Sequence, residues 1–136
     1  MKRIAQAVVA VVTKGTKVLF IRRGLAVPYA GYWAPISGKI EHGEDPASAV
    51  AREVREEVGL TVKPIRKMWE SVSTSGTYRL HWWLAEWVEG ELTLDPREVS
   101  ESRWLTLAEI SGLEETFEKD REFFEKVLPR SGETWS

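Results

Sequence analysis

The run from Asp45 to Gly59, DPASAVAREVREEVG, constrains this chain more than any other stretch. Asp45 is a capping residue, Pro46 stands at the favoured first helical position, Ala47 to Val58 carries helical spacing, and Gly59 is a terminator. The pattern predicts one helix of about three turns. Positions three and four apart share a helix face, so Glu53, Glu56 and Glu57 aim their carboxylates into one small region. Each such like-charge pair costs a helix several tenths of a kcal/mol. The cluster is tolerable as a solvated surface paired with Arg52 and Arg55, or as a site where a divalent cation fills the space between the carboxylates. An oxygen-only set of this kind suits a hard ion, Mg²⁺ or Mn²⁺.

The rest of the pattern is sheet with a few helices. Ile4–Val12 and Lys17–Arg23 are rich in β-branched residues and flank a turn at Thr13-Lys14-Gly15-Thr16, which predicts a buried strand pair. A loop from Gly24 to Ala34 follows, longer than most connections, with Tyr29, Tyr32 and Trp33 as candidate ligand-wall aromatics. Thr61–Ser73 and Thr77–Val88 read as strands joined near Ser75-Gly76, the second apolar on both faces and so expected to be covered on both. A short strand at Ser102–Leu105 and a helical turn at Leu107–Ile110 come next. Leu113, Phe117, Phe124 and Val127 or Leu128 then predict a closing amphipathic helix that Pro129 ends, before a polar tail over about 129–136. The reading is a single α/β domain over 1–136, a mixed β-sheet between helices.

Composition narrows the function. The chain has 136 residues and no cysteine, which excludes disulfide scaffolds, zinc-thiolate sites and thiol catalysis and fits a reducing cytoplasmic setting. A formal charge of −2 gives no support to a duplex nucleic-acid partner. Lys2-Arg3 and the apolar run after them superficially copy a signal peptide, but Gln6 interrupts the run and no small-residue cleavage site follows. No stretch approaches the ~20 apolar residues of a membrane span. His42 and His81 have no second partner for a histidine metal site or a nucleophile triad. Of the seven tryptophans, Trp33, Trp69, Trp82, Trp83, Trp87, Trp104 and Trp135, those on strands are expected in the core.

The segment Gly38 to Leu60, GKIEHGEDPASAVAREVREEVGL, resembles the Nudix box, G-x5-E-x7-R-E-U-x-E-E-x-G-U, with U bulky and apolar. Gly38, Glu44, Arg52, Glu53, Val54, Glu56, Glu57, Gly59 and Leu60 satisfy every specified position; by average residue usage the chance of this is on the order of 10⁻⁷. The flanks look most like the MutT type: Arg22-Arg23 ends a strand, and HWWLAEWVEGE forms the late one. The resemblance implies a Nudix-type α/β/α sandwich and Mg²⁺-dependent hydrolysis, with Mn²⁺ as substitute, of a nucleoside diphosphate linked to a moiety X.

By the same resemblance, Glu53, Glu56 and Glu57 bind metal together with the backbone carbonyl of Ser37. Glu53 and Glu56 are candidate catalytic residues, Glu53 the general base, with Glu98 and Glu101 as candidates for a base or ligand on a remote loop. Arg52 orients the box by pairing with carboxylates including Glu44, while Gly38 and Gly59 shape the backbone. Arg23 is the candidate phosphate contact, with Arg22 its competitor because strand alternation lets only one face the cleft. Tyr78 lies eighteen positions after Leu60, a spacing that resembles dinucleoside polyphosphate hydrolases and makes those compounds the alternative substrates. Two departures stand out. Pro35-Ile36-Ser37-Gly38 replaces Phe-Pro-Gly-Gly, and the chain has no Asn to read an oxidised purine as MutT does. Partners are expected to be small nucleotide-type substrates, and homodimers are common in the family. A nucleotide-binding sensor without turnover is the reading from another class; such domains typically lose box carboxylates, and here all are present.

Overall fold

The computed structural model describes residues 4–133. Seven strands form one mixed sheet: β1 (Ala5–Lys14), β2 (Lys17–Arg23), β3 (Trp33–Ala34), β4 (Ile36–Lys39), β5 (Thr61–Val72), β6 (Tyr78–Glu89) and β7 (Val99–Leu105). Helix α1 spans Pro46–Val58, α2 spans Leu107–Ser111 and α3 spans Glu118–Glu122, running on into a π-type turn at Phe123–Val127 and a 3₁₀ turn at Leu128–Arg130.

Strand β1 is the spine. Ala7 to Val12 are all buried, because both faces of the strand are covered. Val8, Ala10 and Val12 pack with Ala49, Val50, Val54 and Val58 of α1, whereas Val9 and Val11 face the other layer with Phe20, Trp82, Phe123 and Phe124. This is the expected α/β/α sandwich.

On one side β1 pairs in parallel with β6, from Ala5↔Tyr78 to Thr13↔Glu86, and β6 pairs with the edge strand β5. Its other side is shared. Near the turn it meets β2 only at Thr13↔Val18 and Lys14↔Lys17, and from Ala7 to Ala10 its neighbour is β4. Strand β2 departs to pair with β3 and β7. The sheet therefore forks, and a cavity opens with Ala7, Val9, Ser37 and Leu80 in its lining.

Several boundaries differ from the sequence reading. Strands β3 and β4 lie where a loop and the box approach were expected, since two and four residues are too few to display alternation. Strand β7 starts at Val99 rather than Ser102. The closing helix starts only at Glu118, so Leu113 and Phe117 lie outside it. Backbone in this stretch bonds elsewhere: Trp33 N–H donates to Glu115 O at 2.8 Å, and Arg121 donates to Leu113 O at 2.6 Å. Pro129 sits within the last turn rather than beyond it. Lys2, Arg3 and Trp135 lie outside the described residues.

Phe123 is fully buried and stacks on Trp82 with centroids 4.6 Å apart. Phe123→Ala is expected to cost about 3–5 kcal/mol in urea-unfolding stability, as large-to-small aromatic changes in a close-packed core do; a loss below about 1 kcal/mol would contradict this packing.

Candidate active site

The helix that carries the carboxylates is built as its sequence suggests. Asp45 accepts from Ser48 N–H at 2.9 Å and from Ser48 Oγ at 3.0 Å, Pro46 opens the first turn, and Gly59 closes the helix at φ +75° with its N–H on Arg55 O. Strand β4 runs beside it with Gly38 facing α1. A Cβ at Gly38 would collide with the Glu53 carboxyl, so that carboxyl occupies the place of a side chain.

Arg52 spends all five of its N–H donors here. Nε and Nη2 grip the two oxygens of Glu44 at 2.8 and 2.9 Å, Nη1 reaches Glu53 at 2.9 Å and Glu56 at 3.1 Å, and Nη2 also holds Lys39 O at 2.8 Å. Such a bidentate, charge-assisted fork fixes geometry as well as charge. It ties the loop after β4 to the helix, and Glu41 N–H on Glu44 Oε1 at 3.0 Å closes the turn. The guanidinium, with help from that N–H, holds the Glu44 carboxyl down at about 2.

Beside this hub lies a cavity of about 620 Å³, within the range of small-molecule sites. One part is acidic: Glu53, Glu56, Glu57 and Glu98 line it, with Ser37 and Gly38. Burial raises Glu53 against the pull of Arg52. Glu57, which makes no hydrogen bond to Arg52, is pushed up to about 7 by burial and then by the charges of Glu53 and Glu98, with Arg23 opposing. Among the described residues no three carboxylates are drawn into the spacing of a finished metal-ligand set, and Arg52 engages Glu53 and Glu56 instead.

Arg23 lines the cavity, its Nε donating to Pro28 O at 2.6 Å. Arg22 lies outside it, turned to Gly31 O at 3.2 Å, as the alternation of β2 requires. Glu98 is placed by its loop, with its carbonyl accepting from Gly24 N–H at 2.8 Å. Glu101 is not in the lining; it pairs with Arg103 at 2.8 Å.

The expected aromatics divide. Trp33 is a core residue, 8% exposed, with Arg103 over its ring, so it is not a cavity wall. Tyr32 supports the wall from outside by packing on Phe117 at 5.1 Å, while Tyr29 and Phe117, 5.0 Å apart, line it. Tyr78 also lines the cavity, with Lys39 Nζ 5.7 Å from its ring centre and the Ser73-Thr74-Ser75 turn beside it.

Sequence reasoning missed Asp120. It is 8% exposed on α3, lines the cavity, and its carboxyl makes no hydrogen bond among the described residues. Burial drives it up to about 7, with Arg23 the opposing charge. In the run ETFEKDREFF it looks like one more solvated charge. The available signal was its position three after Phe117 and four before Phe124, on the apolar stripe.

A family model described as NUDIX domain matches residues 1–127. The NAD-capped RNA hydrolase NudC of Stutzerimonas stutzeri (strain A1501) is 30% identical over 115 residues, covering 82% of this chain and 40% of that protein. The protein of the same name from Deinococcus radiodurans is 27% identical over 130 residues, covering 93% of this chain and 46% of that one. This chain thus spans less than half the length of these relatives. The crystal structure of the MutT protein from Methanosarcina mazei Go1 superposes with a TM-score of 0.82 at 26% identity, covering 97% of this chain and 98% of that one. The chain belongs to the Nudix domain family.

Two pH effects follow. Glu44 ionises near 4.5 when unfolded and about 2 when folded, so its contribution is complete above about pH 4.5 and is lost as pH falls toward 2. Glu44→Gln is expected to flatten wild-type acid destabilisation in that window, measured by Tm against pH. Asp120 is the opposite case. Raised from 3.8 to about 7, it releases a proton on unfolding between those values, so it lowers stability as pH rises through them. Asp120→Asn is expected to gain Tm relative to wild type from pH 4 to pH 8, and a flat difference would refute the burial assignment.

Proposed function

We propose that this protein is a Nudix pyrophosphohydrolase that cleaves a nucleoside diphosphate linked to X by attack of water on a pyrophosphate phosphorus. The observation that carries this is the cavity itself, acidic at the α1 side and aromatic at the side of Tyr29 and Phe117, with Arg23 in the lining. A pyrophosphate needs its charge neutralised before a nucleophile can approach, and a nucleobase needs an apolar face.

The donors fit a hard divalent cation, Mg²⁺ with Mn²⁺ as substitute. All are oxygens, and Glu53 and Glu57 are raised by burial, a cost a cation would relieve. Glu53, Glu56, Glu57 and Ser37 O would hold it, with Glu98 at the margin. When bound, the ion would neutralise phosphate charge and acidify a bound water.

The chain's own residues do the remainder. Glu53 is the proposed base that takes the proton from water, Arg23 binds phosphate, and Arg52 orients the carboxylates. Tyr29 and Phe117 supply the apolar face and Asp120 a polar edge for the base or X. The new P–O bond forms from water as the bridging P–O bond breaks, its electron pair leaving on the departing phosphate.

Tyr78 with Lys39 at the cavity wall supports a second reading, a dinucleoside polyphosphate as substrate. The NudC relatives add NAD and NAD-capped RNA 5′ ends to the compounds worth testing. The cytoplasm, where nucleotides meet free Mg²⁺, is the proposed setting. Among the described residues no helix is long and apolar enough to cross a membrane.

The deciding experiment is a Mg²⁺-dependent hydrolysis screen over nucleoside triphosphates, nucleoside diphosphate sugars, dinucleoside polyphosphates and NAD, with products identified by mass. Glu57→Gln is expected to lower turnover of the best substrate by at least ~10²-fold, since losing one carboxylate removes charge stabilisation from the reacting centre. Unchanged turnover would remove Glu57 from the machinery. Tight nucleotide binding without hydrolysis would favour a sensor.

A further inference from the structure

Phe117 and Asp120 both line the cavity, and the stretch that leads into them, residues 112–117, belongs to no helix or named strand. Helix α3, which runs on through the turns to Arg130, starts only at Glu118, and the residue before it, Phe117, provides no side-chain cap. A void of about 10 Å³, bordered by Phe20, Thr116, Arg121 and Phe124, lies against Asp120. The place of its carboxyl therefore follows the backbone.

That backbone is gathered by one side chain. Arg121 Nη2 donates to Leu113 O at 2.6 Å and to Thr116 Oγ1 at 3.0 Å, and its Nη1 donates to Ser111 O at 3.4 Å. On its own helix face it also pairs with Glu125 at 3.6 Å. Arg121 thereby folds the segment between α2 and α3 back onto α3, while Trp33 N–H anchors the same segment to the sheet through Glu115 O. It is absent from the cavity lining, so it has no direct route to a bound molecule.

We propose that Arg121 is a positioning residue for substrate selection: by fixing residues 111–116 it sets the Phe117–Asp120 wall, and so decides which base or X group the cavity accepts. The proposal rests on the reading of the cavity as a nucleotide site. The acidic side depends on a different arginine, Arg52, so the two functions separate. Disturbing Arg121 loosens recognition and leaves the hydrolytic step in place.

The test compares wild type with Arg121→Ala, Arg121→Lys, Asp120→Asn and the double variant Asp120→Asn with Arg121→Ala. Each is assayed on the best nucleotide of the screen and on its analogues with altered bases. Arg121→Ala is expected to raise KM by about 10-fold with kcat within about 3-fold, and to shrink discrimination between bases by a similar factor. Arg121→Lys recovers part of the loss. In the double variant the two KM effects do not multiply, because both act on the same wall. Should Arg121→Ala fail to fold, Thr116→Val removes one acceptor of the fork and is expected to shift KM in the same direction by a smaller factor. An apparent kcat that falls with the folded fraction while KM stays unchanged, or fully multiplicative KM effects, would overturn the proposal. Binding of a non-hydrolysable α,β-methylene nucleotide, followed by calorimetry, separates the two claims. Wild type that binds it while the variants bind equally well refutes the role of Arg121 alone. Wild type that neither binds nor hydrolyses any nucleotide refutes both.

Discussion

Everything in this fold is arranged around a strand that has no face to spare. From Ala7 to Val12 β1 is buried on both sides, so each face requires its own layer. Helix α1 covers one and the C-terminal helical segment the other. The edges of β1 are satisfied as well, by β6 along one and by β2 and then β4 along the other. One edge of a strand cannot pair with two neighbours at the same residue, so β2 must leave where β4 arrives. The cavity follows from that departure.

The electrostatics are layered in the same economical way. A row of glutamates along one helix face would be self-repelling, and Arg52 answers Glu53 and Glu56 with one amino group while its other donors hold Glu44 and Lys39 O in the preceding loop. One carboxylate is left over. Glu57 stays outside the reach of Arg52, half-buried, next to Glu98 and facing Arg23, and its raised affinity for a proton reports an unmet demand for positive charge. Asp120, also within range of the Arg23 charge, carries a similar demand in an apolar setting. Arg23 thus influences both carboxylates whose charge the fold leaves least compensated.

What could be read from the sequence tracks how local its cause is. Helix α1 was legible to the residue, since cap, proline, periodicity and terminator all lie within it. The long strands were legible from their apolar runs, and the motif spacing located Glu53, Glu56, Glu57 and Arg52 on one helix. Short strands were not, because β3 and β4 are strands only by virtue of their neighbours. The loop around Trp33 reads as a ligand wall, but its pairing in β3 with Arg22 of β2 turns Trp33 into the core. Phe117 and Asp120 were invisible as cavity residues for the same reason. Their placement comes from Arg121 and from the Trp33–Glu115 bond, contacts that no window of sequence contains.

The tight fit of Gly38 against Glu53 also says where this architecture can vary. With Lys39 O on Arg52, Glu41 N–H on Glu44 and the Glu53 carboxyl where a side chain at residue 38 would sit, the end of β4 and the loop into α1 are restrained in both identity and length. The turn after β5 is under no such restraint. Gly76 faces open space, and Ser73, Thr74 and Ser75 reach the cavity from a hairpin tip that tolerates insertion. The carboxylate side of the cavity is thus held by many contacts, whereas the hairpin at its other wall is held by few. A scaffold divided this way can reshape one wall of its cavity by lengthening a single hairpin, without disturbing the carboxylates opposite.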